Sequence, residues 1–471
     1  MAYYDEFAKF NDKIALIDEN NKHITYAEMQ KICTDIGKVT KRGLVFSFCE
    51  NSIGSVCGYI AFLQNQIVPV LIDRGMDKEL IKNLLKTYKP NYLYIPESMC
   101  REFDYVRCIY NNAGYMLCET DREEKYILYD ELGLLLTTSG STGSPKLVRQ
   151  SYKNIQVNAE QIAQYLNIGG NDRPITTLPM NYTYGLSIIN SHLLRGATIL
   201  LTTKSLMNRE FWTFFKNNNA TTFGGVPYTY EILKKLKFFD MDLSSLKYMT
   251  QAGGKMTPEL HKEFAEYAEN TGKEFIVMYG QCEATARMAY LPADKSLQKY
   301  GSMGIAIPFG KLELIDIKGN VIDQPDVVGE MVYYGDNVTL GYAECEYDLS
   351  KGDERKGRLE TGDMAKRDNE GFYYVVGRKK RFLKIYGNRV NLDEVERMLK
   401  TYLDIELACG GTDDHMVIYL TSEDDNIKSK AKHFLVEKTG LNTVAFSIKY
   451  VTEIPKNDAG KTLYRKLEEM I

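Results

Sequence analysis

The residues best suited to chemistry lie in one segment, 137–146, which reads Thr-Thr-Ser-Gly-Ser-Thr-Gly-Ser-Pro-Lys and follows the apolar run 134–136. Glycines and small hydroxyl residues allow backbone N–H groups to surround an anion, and Lys146 adds a positive charge. The segment is not a Walker loop, because no Gly-Lys-Ser/Thr closes it at the required spacing. It therefore predicts a loop that can hold an anion, although a Gly/Ser/Thr segment taken alone is typical of a surface turn.

A second group of candidate residues, Tyr-Gly-Gln-Cys-Glu at 279–283, follows the apolar, strand-like run 275–278. Tyr279 could stack on a base, and Gly280 would let the backbone pass close to a ligand. Glu283 offers the hard carboxylate oxygen that suits Mg²⁺. These residue types predict a strand that delivers a nucleotide-binding and metal-binding loop.

Glycine pairs at 224–225 and 253–254 also follow strand-like runs. Paired glycines after a strand permit close backbone approach to a flat ligand. An ordinary turn is the alternative interpretation of each pair.

Three polar residues nearer the carboxyl terminus could also contact a nucleotide. Asp363 ends Thr-Gly-Asp, and a carboxylate held by a tight turn can accept hydrogen bonds from two ribose hydroxyls. Arg378, 15 residues later, can donate to ribose or phosphate. Lys461 is a compact cation on a flexible stem, which could reach phosphate and carboxylate oxygens together. Taken alone, these patterns are typical of a turn and of a basic surface cluster.

In this order and spacing, the motifs resemble those of the AMP-forming adenylating enzymes, the superfamily of acyl-CoA synthetases, peptide-synthetase adenylation domains and luciferases. The resemblance covers nearly the whole chain. Two departures stand out: Cys282 occupies a position where the family has threonine, and residues 458–459 lengthen the spacing before Lys461. We interpret Cys282 as a tolerated small residue and not as a nucleophile.

The resemblance implies a role for each matching residue. Catalysis falls to Lys461, Glu283 and Thr138, and Mg²⁺ would be held by Thr138 and Glu283. Nucleotide binding is assigned to Thr138, Ser139, Gly140, Ser141, Thr142, Gly143, Lys146, Gly253, Gly254, Tyr279, Gly280, Gln281, Cys282, Glu283, Asp363, Arg378 and Lys461. The substrate pocket is assigned to Tyr182, Tyr184, Gly225, Val226 and Tyr228. Lys380 is the expected hinge, and Lys384, Gly387 and Arg389 the expected loop for the thiol step.

The implied reaction uses ATP and Mg²⁺ and has two steps. A carboxylate attacks the α-phosphorus of ATP to give an acyl-adenylate, and a thiol then displaces AMP to give a thioester. The acceptor stays open between CoA and the phosphopantetheine of a carrier protein. A non-catalytic nucleotide-binding relative is the third interpretation, and the presence of Lys461, Glu283 and Asp363 argues against it.

The expected substrate is a small carboxylic acid without an α-amino group. Residues 174–192 contain no Asp or Glu, and a buried ammonium group without a counter-charge would cost several kcal/mol. Aryl and short acyl substrates both remain open.

The fold class predicted from the sequence is α/β. Helix-like and strand-like stretches alternate over residues 1–130, which favours parallel sheets flanked by helices. With the resemblance, this predicts a large amino-terminal domain of layered sheets and helices at 1–379 and a small, mobile α+β cap at 380–471. Thr25 and Glu28 have the spacing of a capping box at a helix start. By composition alone, the basic stretch 377–390 is typical of a solvated face.

Composition narrows the function classes. A net charge of −4 offers no basic field for nucleic acid, and no apolar run reaches about 18 residues, so we expect no membrane span. Nine scattered cysteines without a Cys-x-x-Cys pair fit a reducing compartment. The amino terminus lacks the features of a signal peptide, so the expected location is cytoplasmic.

Overall fold

The chain folds into two compact units, one of Met1–Leu312 with Tyr333–Leu359 and the other of Glu313–Val332 with Glu360–Ile471. The structure, a computed structural model, describes residues 2–103, 106–121, 127–137, 146–385, 388–439, 441–456, 460 and 462–469. The boundary predicted between residues 379 and 380 falls inside the second unit. The predicted boundary marks a hinge. A division of the chain into compact units does not test where a hinge lies, so the boundary stays a prediction.

Helices and strands alternate along most of the described chain. The α-helices are α1 (Tyr26–Val39), α2 (Ile53–Gln64), α3 (Lys78–Tyr88), α4 (Tyr152–Tyr165), α5 (Thr183–Leu193), α6 (Arg209–Asn217), α7 (Pro227–Lys235), α8 (Pro258–Asn270), α9 (Leu392–Leu403), α10 (Asp425–Thr439) and α11 (Tyr464–Glu469). The strands are β1 (Ile14–Asp18), β2 (His23–Thr25), β3 (Leu44–Cys49), β4 (Val68–Asp73), β5 (Tyr92–Pro96), β6 (Arg107–Asn112), β7 (Tyr115–Glu119), β8 (Leu132–Thr137), β9 (Leu147–Ser151), β10 (Ile199–Leu201), β11 (Thr222–Gly225), β12 (Tyr248–Gln251), β13 (Glu274–Tyr279), β14 (Ala289–Tyr290), β15 (Ile305–Ala306), β16 (Lys311–Ile315), β17 (Gly329–Tyr334), β18 (Gly341–Ala343), β19 (Arg358–Arg367), β20 (Tyr373–Arg378), β21 (Phe382–Ile385), β22 (Asn388–Asn391), β23 (Leu407–Thr412), β24 (His415–Leu420) and β25 (Phe446–Tyr450). None of the helices described here combines the length and the apolar character needed to cross a membrane.

The first unit is organised around an eight-stranded sheet in the order β18-β9-β8-β4-β3-β5-β7-β6. Its centre, β8-β4-β3-β5, is parallel, and the strands on both sides of it pair antiparallel. Alternate residues of β3 enter different cores: Phe46 and Phe48 pack with Leu84 of α3, whereas Val45 packs with Ile60 of α2. A strand buried on both faces needs helices on both sides, so the predicted α/β class is confirmed.

Local sequence signals fix the start of helix α1. The hydroxyl of Thr25 accepts a hydrogen bond from the Glu28 amide, and the Glu28 carboxylate accepts one from the Thr25 amide at 2.7 Å. The predicted capping box is therefore confirmed, and its two hydrogen bonds satisfy N–H groups that the first helical turn leaves unpaired.

Two smaller sheets complete the first unit. The three-stranded sheet has the order β10-β1-β2, and the five-stranded sheet the order β11-β12-β13-β14-β15. Within the latter, β11, β12 and β13 are parallel. Parallel strands bring the loops that follow them to one edge, and this sheet positions most of the candidate site.

The second unit contains the sheet β16-β17-β19-β20, the hairpin β21-β22 and the sheet β23-β24-β25, with helices α9 to α11. Asn391 caps helix α9, and its side chain accepts hydrogen bonds from the amides of Asp393 and Glu394. Leu399 of α9, Cys409 of β23 and Ile418 of β24 are fully buried in one core.

A buried ion cluster lies beside that core. Arg381 donates through Nε to Asp393 at 2.8 Å and pairs through Nη2 with Glu396, and its guanidinium lies 3.8 Å from the ring centroid of Tyr464. Glu396 also accepts hydrogen bonds from the Cys409 amide and the Tyr464 hydroxyl. The side chain of Arg381 is only 12% exposed. The composition of residues 377–390 predicted a solvated face. For Arg381 this prediction is wrong, because the acids of α9 supply its partners.

We expect Glu396→Ala to destabilise the second unit by about 2–4 kcal/mol, because Arg381 keeps only Asp393 as an ion-pair partner and the Cys409 amide and the Tyr464 hydroxyl lose their acceptor. Glu394→Ala, two positions away in the same helix, is the matched control: its partner Arg397 is well exposed, so the loss should stay below about 1 kcal/mol. Amide hydrogen exchange of α9 and β23 in the full-length protein measures both. Equal opening free energies in the two variants would contradict the prediction.

Candidate active site

The carboxyl ends of β11, β12 and β13 meet at one edge of the five-stranded sheet. Their register places Gly225 opposite Gln251, and Gln251 opposite Val277. The three segments that follow these strands therefore start side by side. Together with Tyr279, the last residue of β13, they carry the predicted site residues Val226, Tyr228, Gly253, Gly254, Gly280, Gln281, Cys282 and Glu283.

Two of the predicted glycines are required by close packing at this edge. A Cβ at Gly280 would lie 1.7 Å from the carbonyl oxygen of Ala286. Gly253 has φ +84°, and a Cβ there would lie 2.5 Å from the hydroxyl of Tyr182. The close approach at Gly253 is therefore to Tyr182, itself a predicted pocket residue.

Glu283 lies in a cluster of polar and charged side chains. Its Oε1 accepts a hydrogen bond of 2.7 Å from the hydroxyl of Tyr342. Lys146, the last residue of the predicted anion loop, places its Nζ 3.7 Å from the ring centroid of Tyr342. The guanidinium of Arg355 lies 4.5 Å from the same ring and donates to the Glu283 carbonyl oxygen at 3.1 Å. Lys146 and Glu283 are far apart in the sequence, but both contact Tyr342 in the structure.

The pKa of Tyr342 determines which group donates in its hydrogen bond with Glu283. Burial, together with the negative charge of Glu283, raises the pKa of Tyr342 to about 12. The hydroxyl therefore stays protonated at neutral pH and acts as the donor to Glu283. That bond orients the Glu283 carboxylate.

The donor set fits the predicted magnesium ion. Within the described residues, no cluster of three or more His, Cys, Asp or Glu side chains could hold a metal. Mg²⁺ commonly keeps several waters and binds one or two carboxylates together with substrate phosphates. Glu283, oriented by Tyr342 and flanked by Lys146, suits that kind of site.

A strained turn joins Glu283 to the next strand. Thr285 has φ +63° and ψ −65°, and the amide of Ala286 donates to the carbonyl of Ala284 at 2.7 Å. This is a γ-turn of positive φ, a strained conformation, and it is held at a β-branched residue. The hydroxyl of Thr285 donates to the carbonyl of Asn337 at 2.7 Å, which anchors the turn.

A cavity lies behind this edge, between helices α4 and α5 and the sheet. It is lined by Ile162, Leu166, Tyr184, Ser187, Ile188, Ser191, His192, Thr222, Phe223, Gly224, Tyr248, Thr250, Met278 and Arg287. The Tyr184 hydroxyl donates to the Thr250 carbonyl at 2.8 Å, which fixes the ring as one wall. His192 is uncharged at neutral pH, since burial lowers its pKa to about 4.

The five predicted pocket residues are distributed unevenly around this cavity. Tyr184 lines it, and Tyr182 lies beside it with its ring centroid 6.4 Å from that of Tyr184. Gly225 and Val226 are buried at the end of β11 but outside the lining. Tyr228 is 52% exposed on α7 and does not line this cavity, so its place in a substrate pocket stays a prediction. The first turn of α7 points this side chain to solvent.

In the second unit, Asp363 and Arg378 lie opposite each other on β19 and β20, with Asp363 Oδ1 2.7 Å from Arg378 Nε. Asp363 is buried, and its amide donates to the Thr361 hydroxyl. The tight turn expected at Thr-Gly-Asp is wrong: all three residues belong to strand β19, and Gly362 takes φ +68° within it. The pairing of Asp363 with Arg378 continues the strand beyond this motif. The ribose contact stays a prediction.

Several predicted residues lie outside the described part of the chain. These are Thr138, Ser139, Gly140, Ser141, Thr142 and Gly143 of the anion loop, Gly387 and Lys461. The side chains of Lys380, Lys384 and Arg389 are likewise outside it. Their roles stay predictions. The strands that flank the loop are described: β8 and β9 pair antiparallel, with Thr137 opposite Leu147.

Four residues of the site escaped the sequence analysis: Tyr342, Arg355, His192 and Arg287. The first two reach Glu283 from segments about 60 to 70 residues away, and no local pattern marks them. Arg287 carried a signal, because it is the single charged residue in the otherwise uncharged run 284–291. A charge at a position that the strand pattern buries needs a partner or a function.

Known proteins match this chain along most of its length. The sequence profile of the AMP-binding enzyme family matches residues 4–343. A 2-succinylbenzoate–CoA ligase of Bacillus cereus (strain AH820) is 27% identical over 361 residues, 75% of this chain and 73% of the relative. Peroxisomal OPC-8:0-CoA ligase 1 of Arabidopsis thaliana is 28% identical over 369 residues, 74% of this chain and 65% of the relative.

Solved structures share the fold over nearly the whole chain. The o-succinylbenzoate CoA synthetase MenE of Bacillus subtilis, in complex with its acyl-adenylate intermediate, has a TM-score of 0.79 at 22% identity, with 99% of this chain and 98% of the other covered. ATP-bound MatB of Rhodopseudomonas palustris has a TM-score of 0.79 at 18% identity, with 100% and 99% covered. The resemblance to AMP-forming adenylating enzymes is thereby confirmed, and the chain belongs to the AMP-binding enzyme family.

Proposed function

We propose that this enzyme activates a carboxylic acid with ATP and transfers the acyl group to the thiol of CoA. In the first step a carboxylate oxygen attacks the α-phosphorus, the bond to the oxygen bridging the β-phosphorus breaks, and pyrophosphate leaves. In the second step the CoA sulfur attacks the carbonyl carbon, AMP leaves, and the thiol proton passes to solvent. No covalent bond to the protein is required.

The observation that carries this proposal is the meeting of Lys146 and Glu283 at the ring of Tyr342. Lys146 ends the anion loop, and Glu283 ends the nucleotide-binding motif that follows β13. The ends of both motifs therefore lie at the same place in the first unit. The first step concentrates negative charge on phosphate oxygens. Cations at Lys146 and Arg355, with a carboxylate that can hold Mg²⁺, oppose that charge. Bound Mg²⁺ would neutralise phosphate charge there.

Other roles rest on the family resemblance. We assign Lys461 to contacts with the reacting oxygens, and Thr138 to a second protein ligand for Mg²⁺. Asp363 and Arg378 are assigned to the ribose. Lys380 as a hinge, and Lys384, Gly387 and Arg389 as the thiol-step loop, complete the proposal.

We further propose an aryl or similarly compact acid as the substrate and CoA as the acceptor. The relatives named above are CoA ligases, and one acts on 2-succinylbenzoate by its name. Segment 174–192 offers no acid for an α-ammonium group.

Substrate-dependent exchange between ATP and labelled pyrophosphate tests the first step. We expect exchange with at least one aryl or short acyl acid, and less exchange with the matching α-amino acids. Product analysis with CoA and, separately, with a phosphopantetheinylated carrier protein identifies the acceptor. Exchange with none of a broad acid panel would refute the ligase. A thioester formed only on the carrier protein would correct the acceptor.

We expect Glu283→Gln to slow pyrophosphate exchange by about 10²–10³-fold, because the negative ligand of Mg²⁺ is lost. Tyr342→Phe should cost about 10–100-fold and raise the Mg²⁺ concentration needed for half-maximal rate, since it removes only the orienting hydrogen bond. Glu274→Gln, exposed at the opposite end of β13, is the control and should leave the rate unchanged. Unchanged Mg²⁺ dependence in both site variants would refute the metal role of Glu283.

Asp363→Ala should weaken ATP binding by about 10-fold or more, because the predicted ribose contact would be lost and its partners left unpaired. Calorimetric titration of ATP measures the change. Asp326→Ala is the control in the same unit, since Asp326 pairs with Lys366 at the surface. Lower stability with unchanged ATP affinity in Asp363→Ala would show that the pair with Arg378 is structural only.

A further inference from the structure

Two small cavities lie next to each other in the first unit. The first is the cavity described above, which Arg287 lines, and the second lies between β9, α4, α5 and the γ-turn. Each has a volume of about 10 Å³, which is room for about one water molecule. Ile162 and Ser187 line both cavities, so the two are neighbours.

The second cavity has a lining that is partly polar, and none of the described side chains that line it carries a charge. The lining residues are Gln150, Ile155, Asn158, Ala159, Ile162, Thr183, Leu186, Ser187, Asn190, Thr285 and Ala286. A cavity of this size is too small for a substrate, and its neutral lining offers no counter-charge to an ion. It suits a water molecule, which both donates and accepts hydrogen bonds.

Buried polar atoms without partners indicate what occupies each cavity. In the second cavity, Nε2 of Gln150 and Oδ1 of Asn158 have no hydrogen-bond partner among the described residues, although both residues are at most 2% exposed. Nδ2 of Asn158 donates to the carbonyl of Arg287 at 3.3 Å, so its Oδ1 is the unpartnered acceptor. In the first cavity, Nε of Arg287 is likewise without a partner. Buried polar groups of this kind bond to protein or to ordered water, because leaving them unpaired is costly.

Arg287 has the greatest need of such a partner, because it is a buried cation. It is 3% exposed, its Nη1 donates to the carbonyl of Ala286 at 3.3 Å, and its guanidinium lies 3.9 Å from the ring centroid of Tyr184. None of the described residues forms an ion pair with it. Arg149, which is also buried, pairs with Glu354. A water molecule at Nε would give Arg287 an acceptor that the described part of the chain does not supply.

We propose that the two cavities bind one internal water molecule each. In the second cavity, the water accepts a hydrogen bond from Gln150 Nε2 and donates one to Asn158 Oδ1. In the first cavity, the water accepts a hydrogen bond from Arg287 Nε. The hydroxyl of Ser187 donates to the carbonyl of Tyr184 at 2.7 Å, so its oxygen can accept a hydrogen bond from a water on either side.

The position of the second water indicates its role in the site, and this part of the inference rests on the proposed function. Gln150 lies on β9, four residues after Lys146, and Thr285 lies two residues after Glu283. The segments that bring Lys146 and Glu283 to Tyr342 therefore also enclose this water. Its hydrogen bonds join β9 to α4 beside the γ-turn, and so the water supports the placement of the Mg²⁺ ligand.

Crystal structures of the full-length wild-type protein and of Gln150→Met test both sites. We expect density for one water in each cavity of the wild-type protein, within hydrogen-bond distance of Arg287 Nε in the first and of Gln150 Nε2 in the second. Gln150→Met should lose the water of the second cavity and keep that of the first. A cavity that is dry in wild-type crystals whose density shows ordered water elsewhere in the interior would overturn the inference for that cavity.

Thermal unfolding gives changes of opposite sign with and without the second water. If Gln150 Nε2 donates to a water, Gln150→Met should lower the unfolding temperature by about 1–3 °C, because a satisfied hydrogen bond is lost. If that atom has no partner, the same substitution should raise the unfolding temperature, because it removes an unsatisfied buried donor. A rise would therefore refute the second water site. Gln164→Met, at an exposed position of α4, is the control and should change the unfolding temperature by less than about 1 °C.

Pyrophosphate exchange tests the support of Glu283 separately. We expect Gln150→Met to raise the Mg²⁺ concentration needed for half-maximal rate by about 3–10-fold, whereas a loss of folded enzyme alone would leave that concentration unchanged. Water in both cavities without exchange by the wild-type protein would uphold the water sites and refute the ligase. Loss of the second water with an unchanged Mg²⁺ dependence would refute its role in placing Glu283.

Discussion

The hydrogen bond from Tyr342 to Glu283 is the contact on which the candidate site depends. Tyr342 lies on β18, the edge of the eight-stranded sheet, and Glu283 follows β13 of the five-stranded sheet. Each sheet is stabilised by its own backbone hydrogen bonds and its own hydrophobic core. These interactions do not determine where the side chain of Glu283 points. A protonated phenol at this position orients the carboxylate and supports Lys146 on its ring. The chemistry of two motifs about 140 residues apart is thereby combined in one place.

Two features next to this contact lower the stability of the first unit. The γ-turn at Thr285 holds a β-branched residue at positive φ, and two residues later Arg287 is buried without an ion pair among the described residues. Such costs persist when the surrounding structure enforces them, and they cluster where a ligand is handled. Arg149 shows that the chain can satisfy a buried guanidinium when its role is structural. Strain and an unpaired charge so close together favour a function for the segment after Glu283.

Much of the fold and part of the site follow from local sequence. The capping box at Thr25, the continuous apolar burial of β3 and the glycines after β12 and β13 each depend on residues within a few positions of one another. Because these signals are local, they predict elements without knowledge of the rest of the chain. The order of the motifs along the chain also indicated the enzyme family, since each motif is a short segment with its own backbone requirement.

By itself, the sequence determined which elements form, which loops carry candidate ligands and which enzyme family the chain belongs to. Tertiary structure alone decided which side chains complete the site. Tyr342 and Arg355 reach Glu283, and Arg287 reaches Tyr184, across separations of about 60 to 100 residues. Thr-Gly-Asp lies within β19, where Asp363 pairs with Arg378 of β20, although its composition favours a turn. Contacts of this kind depend on sheet order and on burial, and both are set by the whole chain at once.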